Sequence, residues 1–392
     1  MQRTWTVNDF PLGFEQIHPE PSINFQLNRL YHFSGDPVLL TQLRKAAPGI
    51  RDFTSLVAGL IPLAERAEED GELLRAAMCY RGAAFVTPAS DPHRHAWWKR
   101  FRDLSNAWYG IGPEVRHVIP FGGIDIPALR FLPGGRSRGN VVLMNGFDGY
   151  LEEFTRLMLV LCGAGFEVIA FDGPGQGEVL ETSRAPMIPE WERPTAVVLD
   201  HFGLDDVTVL GFSLGGGLAV RAAAFEPRIA RVICCDVLPD LFGSLAGIAP
   251  APVRELLRRM VPLGVGRRAV NSVMNRIAAR DPLVAWGIQQ GMLVMGAEDP
   301  FDFIRATLRF QTARYSHRLI QDVLLMAGTT DHYVPIEHLH DQIATLTGVR
   351  SLSARIFTPA ESASNHCQLG NLGLAMRTVL NWLDQFAPVC EE

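Results

Sequence analysis

The sequence predicts an α/β protein with a mostly parallel β-sheet, helices on both of its faces, a helical region before it and a helical insertion within it. From residue 117 onward, short β-rich runs bounded by glycine and proline precede and alternate with helical stretches, the pattern that builds parallel sheets. The strand pattern stops after Asp240 and returns only at Asp322. Because the sheet resumes after the gap, the helices in between are expected to form a cap.

The chain before the sheet is predicted to be helical. Between about residues 36 and 109 the apolar residues recur at helical spacing, as at Leu73, Ala76 and Tyr80. The expected parts are a helical N-terminal region that contributes to the cap (1–115), the α/β core (116–240 and 321–392) and the inserted cap (241–320).

Eight β-rich runs are the candidate strands of the sheet, and helical stretches over 150–164 and 194–202 lie between the middle ones. A last helix is predicted over 371–386. The predicted strands are His117–Pro120, Ile124–Leu132, Asn140–Met144, Glu167–Phe171, Val207–Leu210, Arg231–Cys235, Asp322–Ala327 and Ala354–Phe357.

A serine stands at the turn between the fifth predicted strand and the helix after it. Residues 211–215 read Gly-Phe-Ser-Leu-Gly, directly after Val207–Leu210 and directly before an apolar helical run. A nucleophilic serine on such a sharp turn needs glycine neighbours, because the helix packs close behind it. Ser213 is therefore the candidate nucleophile, and a glycine-rich helix start is the alternative interpretation.

A serine hydroxyl needs a histidine to accept its proton and an acid to orient that histidine. Asp331 follows the predicted strand 322–327 after a short turn, at the edge where α/β sheets build their sites. His366 lies in the loop between the last predicted strand and the last helix. Asp331 and His366 are the predicted acid and base, with His332 as the rival base.

Two backbone N–H groups must stabilise the oxyanion that forms when the serine attacks a carbonyl. Leu214, the residue after the serine, is expected to supply one. The glycine-bearing loop 145–149 follows a central strand and is expected to supply the other through Phe147. The alternative for this loop is a plain strand-to-helix turn.

Composition excludes several classes of function. A net charge of −6 argues against nucleic-acid binding, and 47% apolar with 20% charged residues is ordinary for a globular protein. The six cysteines show no Cys-x-x-Cys spacing, which favours a reducing, cytoplasmic compartment. No signal peptide is recognised, and the longest apolar stretch, 157–171, is too short to span a bilayer, so no membrane partner is expected.

No cofactor or metal is expected either. The loop 172–177 resembles a nucleotide-binding turn, but its glycine spacing differs from that motif and acidic residues follow it. His93 and His95, and the histidines of 337–341, are two residues apart and so point to different helix faces. Solvated helix faces are the expected role of both segments.

The predicted cap carries a basic block followed by large apolar residues. A solvated helical face is the simple interpretation of the block, and attraction of an anionic substrate or an acyl carrier protein is the other. The seven arginines are at positions 254, 258, 259, 267, 268, 276 and 280. The candidate substrate contacts are Asp148, Asp240, Trp286 and Met292.

The elbow at Ser213, together with Asp331 and His366, resembles the α/β-hydrolase superfamily. The helical segment 64–85, the loop 149–153 and Asn365-His366-Cys367 resemble the subgroup of 2,6-dihydroxypseudooxynicotine hydrolase and fungal polyketide-shortening hydrolases. This resemblance implies cleavage of a carbon–carbon bond beside a ketone, N-terminal helices that join the cap, and a homodimer. The subgroup's entrance glutamate has no counterpart in 236–244, where Asp240 is the candidate substitute, so the resemblance does not imply the substrate.

These observations predict a serine hydrolase that cleaves a carbon–carbon bond in a β-dicarbonyl or acyl-aromatic small molecule, such as a polyketide-type metabolite. Esterase or thioesterase activity, acyl transfer or cyclisation, and a non-enzymatic binding protein are the alternatives. The sequence leaves open whether Ser213 attacks the carbonyl or holds the oxyanion while His366 activates water.

Overall fold

A computed structural model describes residues 4–247 and 249–386 of the chain, with one eight-stranded sheet in the order β1-β2-β4-β3-β5-β6-β7-β8. β2 runs antiparallel to both of its neighbours, and the other adjacent pairs are parallel. This confirms the predicted fold class. The strands are β1 (Arg116–Phe121), β2 (Ile124–Phe131), β3 (Asn140–Met144), β4 (Glu167–Phe171), β5 (Val207–Phe212), β6 (Ile229–Cys235), β7 (Asp322–Gly328) and β8 (Ser351–Phe357).

The central strands are buried because helices cover both faces of the sheet. Every residue of β4, β5 and β7 is buried. Apart from Glu167, Thr208 and Asp322 at or near their starts, these strands are apolar without alternation, as expected of strands with no solvent face. Met144 pairs with Gly211 and Phe212 pairs with Cys235, so the carboxyl ends of β3, β5 and β6 lie side by side.

Sixteen α-helices fall within the described residues. Five precede the sheet, and five lie between β6 and β7. The helices are α1 (Pro21–Ser34), α2 (Pro37–Ala46), α3 (Phe53–Glu69), α4 (Leu73–Val86), α5 (Pro92–Tyr109), α6 (Thr155–Gly163), α7 (Gly177–Ser183), α8 (Glu192–Phe202), α9 (Leu214–Ala223), α10 (Leu241–Leu245), α11 (Ala251–Met260), α12 (Arg267–Ala278), α13 (Pro282–Met295), α14 (Pro300–Thr307), α15 (Glu337–Thr345) and α16 (Leu372–Leu383).

The N-terminal helices share a hydrophobic core with one face of the sheet. This core contains Leu30 of α1, Phe101 of α5, Leu143 of β3 and Val379 of α16, all nearly inaccessible to solvent. The opposite face packs on α8, α9 and parts of α13 and α14. The N-terminal helices therefore form one wall of the space above the sheet edge, and the inserted helices form its roof.

Helix α1 begins earlier in the chain than the residues at which the sequence indicated helical spacing. Pro21 occupies its first turn, Glu20 caps its N-terminus by accepting from the Ile23 amide, and Gly35 ends it with a φ of 65°. The buried face of this helix includes Asn28 and other polar side chains. Apolar periodicity therefore did not reveal it.

The cysteines and the possible membrane spans were also expectations from sequence. Five cysteines lie among the described residues and all are free thiols, whereas Cys390 lies outside the described residues. No helix within residues 4–247 and 249–386 is long and apolar enough to cross a membrane.

Candidate active site

Ser213 lies at the turn between β5 and α9 with a backbone conformation that L-residues rarely adopt. Its φ is 58° and its ψ is −122°, and such strain persists only where the surroundings enforce it. A Cβ on Gly211 would lie 2.1 Å from the carbonyl oxygen of Gly215, and one on Gly215 would lie 2.4 Å from that of Met144. The glycines of the elbow are therefore steric requirements.

The structure brings the three residues of the predicted triad, Ser213, His366 and Asp331, into contact. His366 Nε2 lies 2.9 Å from Ser213 Oγ, and His366 Nδ1 lies 2.6 Å from Asp331 Oδ2. The other oxygen of Asp331 accepts the amides of Tyr333 and Val334, at 2.7 and 2.9 Å, which fixes the carboxylate. Burial alone would raise the pKa of Asp331, but His366 and these hydrogen bonds hold it below its usual range.

Asp236 is a second acid at the imidazole, and the sequence analysis did not identify it as a site residue. Its Oδ2 lies 3.3 Å from His366 Nδ1, and its side chain is 1% exposed. Asp236 directly follows β6, as Asp331 follows β7 after a short turn, so the strand-end rule that selected Asp331 could have selected both.

The loop after β3 lies against the elbow. A Cβ on Gly146 would be 3.2 Å from Ser213 Cβ and 3.7 Å from the Leu214 amide nitrogen. Leu214 is the first residue of α9, so its N–H has no intrahelical acceptor. Within residues 4–247 and 249–386 no hydrogen-bond acceptor is found for the Phe147 amide. The Leu214 amide and the loop that carries Phe147 therefore lie beside Ser213, and their role as oxyanion donors stays a prediction.

The glycine-rich loop 172–177 supports the oxyanion loop from behind. Gln176 Nε2 donates to the carbonyl oxygens of Asn145 and Gly146, at 2.6 and 2.9 Å, and Gln176 Oε1 accepts the Gly173 amide at 3.1 Å. Burial, and then the nearby Glu152, raise the pKa of Asp172 to about 8. These internal bonds give the loop a structural role that the sequence did not indicate.

A cavity of about 500 Å³ opens above Ser213 and His366. Its floor is the sheet edge, one wall is built by α1, α3 and α4, and its roof includes α10 and α13. Phe25 of α1 contacts His366 directly, with ring centroids 5.9 Å apart. The aromatic lining residues are Phe25, Phe33, Phe53, Phe85, Phe147, Phe154, Phe212, Trp286 and Tyr333, together with His332 and His366.

Two lining residues form a charged pair in this apolar wall. Arg29 Nη1 donates to Asp148 Oδ2 at 2.9 Å, and Arg29 Nε donates to Glu153 Oε2 at 2.8 Å. Arg81, which is fully buried, donates to the other oxygen of Glu153 at 2.7 Å. The two cations and two anions neutralise one another, so this part of the cavity suits a polar, uncharged group.

The four expected substrate contacts divide into two pairs. Asp148 and Trp286 line the cavity. Asp240 does not, because it caps α10 and pairs with Arg258. Met292 does not either, because its position on α13 packs it against the core on the opposite face of the sheet. Asp240 and Met292 therefore lie outside the lining of this cavity, and the substrate contacts stay predictions.

Most of the basic block is engaged within the cap. Arg258 pairs with Asp240, Arg259 with Glu255, and Arg254 donates to the Gly247 carbonyl. Arg267 bonds Asp299 and Asp302. These local partners favour the solvated helical face for the block, while the acyl carrier protein stays a prediction.

His332, the rival base, and the histidines considered as metal ligands make contacts outside the Ser213–His366–Asp331 triad. His332 makes an edge-to-face contact with Phe25 and a tilted ring contact with Tyr333 at the cavity wall. His93 bonds Asp91 at the start of α5, and His338 contacts Ser244. Among the described residues, one group has side-chain atoms close enough together to hold a metal ion, namely Asp236, His366 and Cys367. Two of its members already form hydrogen bonds, His366 with Asp331 and Asp236 with the Cys367 amide.

Comparison with protein families agrees with this fold and geometry. The model of the alpha/beta hydrolase fold family matches residues 139–354, which run from the start of β3 into β8. The chain belongs to the alpha/beta hydrolase fold family, as the resemblance predicted.

Individual relatives share much more of the chain than the family model does. The chain is 28% identical to Hydrolase LUC6 of a Fusarium species over 83% of this chain and 84% of that protein. It is 33% identical to Alpha/beta hydrolase psoB of Aspergillus fumigatus over 71% and 68% of the two chains. The crystal structure of 2,6-dihydroxy-pseudo-oxynicotine hydrolase shares the fold, with a TM-score of 0.64, 20% identity, and coverage of 92% and 95%.

Proposed function

We propose that the chain is a serine hydrolase that cleaves a carbon–carbon bond beside a ketone in an apolar small molecule. The observation that carries the proposal is the Ser213–His366–Asp331 contact chain at the floor of the aromatic cavity. The serine, the base and the acid have the spacing that nucleophilic catalysis requires.

In the proposed reaction, Ser213 Oγ attacks the ketone carbon while His366 Nε2 accepts the hydroxyl proton. The oxyanion is stabilised by the Phe147 and Leu214 amides. The carbon–carbon bond breaks as the tetrahedral intermediate collapses, and the electron pair leaves on an enolate that His366 protonates. Water, activated by the same histidine, then releases the acyl group from Ser213.

Two features of the cavity suit a β-dicarbonyl substrate with an aromatic or apolar body. Its lining is aromatic and apolar, which suits an extended aromatic or polyene substrate. The Arg29–Asp148 pair is a polar part of the wall at the oxyanion loop, where a guanidinium can donate to a second carbonyl oxygen. A β-dicarbonyl compound presents both oxygens that this arrangement accommodates.

The relatives' names bear on the substrate class. Hydrolase LUC6 and Alpha/beta hydrolase psoB are named as hydrolases, and the structural neighbour is named as a hydrolase of 2,6-dihydroxy-pseudo-oxynicotine. The same triad would serve an esterase, a thioesterase, an acyl transferase or a cyclase, so the substrate panel must contain all of these bond types.

The test compares wild type with Ser213→Ala and His366→Ala on β-diketone, acyl-aromatic, ester and thioester substrates. We expect cleavage of the β-diketone, and a loss of roughly 10⁴-fold or more in kcat for each variant, because triad residues act as a unit. Circular dichroism checks that both variants fold. Preferential cleavage of esters by wild type would contradict the carbon–carbon assignment, and full activity of Ser213→Ala would contradict the nucleophile.

A further inference from the structure

Two carboxylates, rather than one, face the same nitrogen of His366. Asp331 Oδ2 and Asp236 Oδ2 lie 2.6 and 3.3 Å from Nδ1, and each side chain is 1% exposed. The two acids follow neighbouring parallel strands, β6 and β7, and the Asp236 amide extends the pairing by donating to the Met326 carbonyl at 3.1 Å. Both positions are thus set by the sheet.

The backbone around Asp236 is held in an uncommon conformation. Asp236, Cys367 and Gln368 have φ values of 57°, 50° and 53°, in the left-handed region. For residues other than glycine this conformation is unfavourable, because Cβ approaches the following carbonyl oxygen. The Cys367 amide and Gln368 Nε2 both donate to the Asp236 carboxylate. The strained turn therefore holds His366 and Asp236 together.

A carboxylate is an expensive choice if Asp236 only accepts these two hydrogen bonds. Burial, and then the charge of Asp331, raise the pKa of Asp236 to about 6, so ionising it costs free energy. A neutral asparagine or serine oxygen would accept the same N–H groups without that cost. The negative charge has an evident use only when the imidazole is protonated.

We infer that Asp236 is a second positioning acid for His366, which shares the Nδ1–H with Asp331 and stabilises the imidazolium formed during turnover. This inference rests on the proposed serine-hydrolase function. This role involves no covalent step. The Nδ1 proton stays on the imidazole, and only its hydrogen-bond acceptors differ. If Asp331 is lost, Asp236 remains within reach and keeps the same tautomer.

Replacing Asp331 should therefore lower kcat less than replacing the acid of a triad that has only one. Replacing the sole acid of a triad with asparagine lowers kcat by about 10⁴-fold, because the histidine takes the wrong tautomer. With a second acid at 3.3 Å, we expect Asp331→Asn to lose only roughly 10²-fold. The double variant Asp331→Asn/Asp236→Asn should lose at least about 10⁴-fold, which is about 10²-fold more than Asp331→Asn alone.

The experiment measures the pKa of the His366 imidazole directly, independently of turnover. Nuclear magnetic resonance titration of His366 should give a lower pKa in Asp236→Asn than in wild type, because a negative charge beside the imidazolium is removed. Asp322→Asn is the matched control. Asp322 is also a buried, hydrogen-bonded aspartate, but it lies at the other end of β7, so its loss should leave the His366 titration unchanged.

Asp236→Ser is the second variant, since its hydroxyl still accepts an amide hydrogen bond, and it should lower the His366 pKa as Asp236→Asn does. An unchanged His366 pKa in both variants, or a double variant no slower than Asp331→Asn, would overturn the inference. Inactivity of wild type on every substrate would instead refute the proposed function and leave the titration result standing.

Discussion

His366 contacts a serine 153 residues before it and an acid 35 residues before it in the chain. Its position in the loop after the last strand predicted this, because the carboxyl ends of parallel strands meet at one edge. Asp236 was missed although it occupies an equivalent strand end. The left-handed turn that brings Cys367 and Gln368 over it is a tertiary feature, which neither apolar periodicity nor a short motif encodes.

The pH dependence of the reaction is predicted from the same residue. Burial alone would lower the pKa of His366, but Asp331, with the other groups around Nδ1, raises it well above 6.5. The base must be neutral to accept the serine proton. We therefore expect kcat/KM to increase with pH through a midpoint above 6.5. A midpoint at or below 6.5 in a full pH–rate profile would contradict this account.

At the scale of elements, α13 carries one expected substrate contact that lines the cavity and one that does not. Trp286 packs on Phe53 and Phe85, with ring centroids 4.9 and 4.8 Å away, whereas Met292 belongs to the core on the other face of the sheet. Trp286→Ala should raise KM for an aromatic substrate roughly 10-fold, since a large apolar contact is lost.

Met292→Ala is the control from the same helix. It should leave KM within about twofold while lowering the free energy of unfolding by roughly 1–3 kcal/mol, as loss of a partly buried methionine does. Steady-state kinetics on both variants checks the pair. Equal effects on KM would show that the cavity is not where the substrate binds.

The sequence predicted the strands better than the helices of the N-terminal region. β3 and β4 have the predicted bounds, because buried strands are short apolar runs with clear ends. The predicted helix over 150–164 begins instead as a 3₁₀ turn, Leu151–Phe154, before α6. Helix α1 buries Asn28, Arg29 and His32 together with its apolar residues, so it has no single apolar stripe that the sequence would reveal.

At the scale of the whole molecule, a buried charge network joins the N-terminal helices to the α/β core. Glu153, before α6, accepts from Arg29 of α1 and Arg81 of α4, and its side chain is 1% exposed. Glu153→Gln would leave two buried guanidinium groups short of a negative partner. We expect the free energy of unfolding to fall by about 3–5 kcal/mol, measured by urea denaturation.

Glu255→Gln provides the comparison. Glu255 pairs with Arg259 on the exposed surface of α11, so its loss should change stability by less than about 0.5 kcal/mol. A similarly small effect of Glu153→Gln would mean that the N-terminal helices do not depend on this network for their attachment.

The fold class and the family were predicted from the strand pattern and the elbow, and both are confirmed. The full lining of the cavity could not be predicted from the sequence, because its walls come from segments more than 200 residues apart, such as Phe25 of α1 and Trp286 of α13. Which apolar residues face it depends on how the cap and the N-terminal helices pack. That packing leaves no local pattern in either segment.

The central claim is that Ser213 Oγ is the nucleophile, activated by His366 across 2.9 Å. The most direct measurement is peptide mass spectrometry after reaction with a fluorophosphonate. We expect one adduct, on the peptide that contains Ser213, formed rapidly in wild type, far more slowly in His366→Ala and absent in Ser213→Ala. No adduct in wild type, or an adduct on another residue that persists in Ser213→Ala, would contradict the claim.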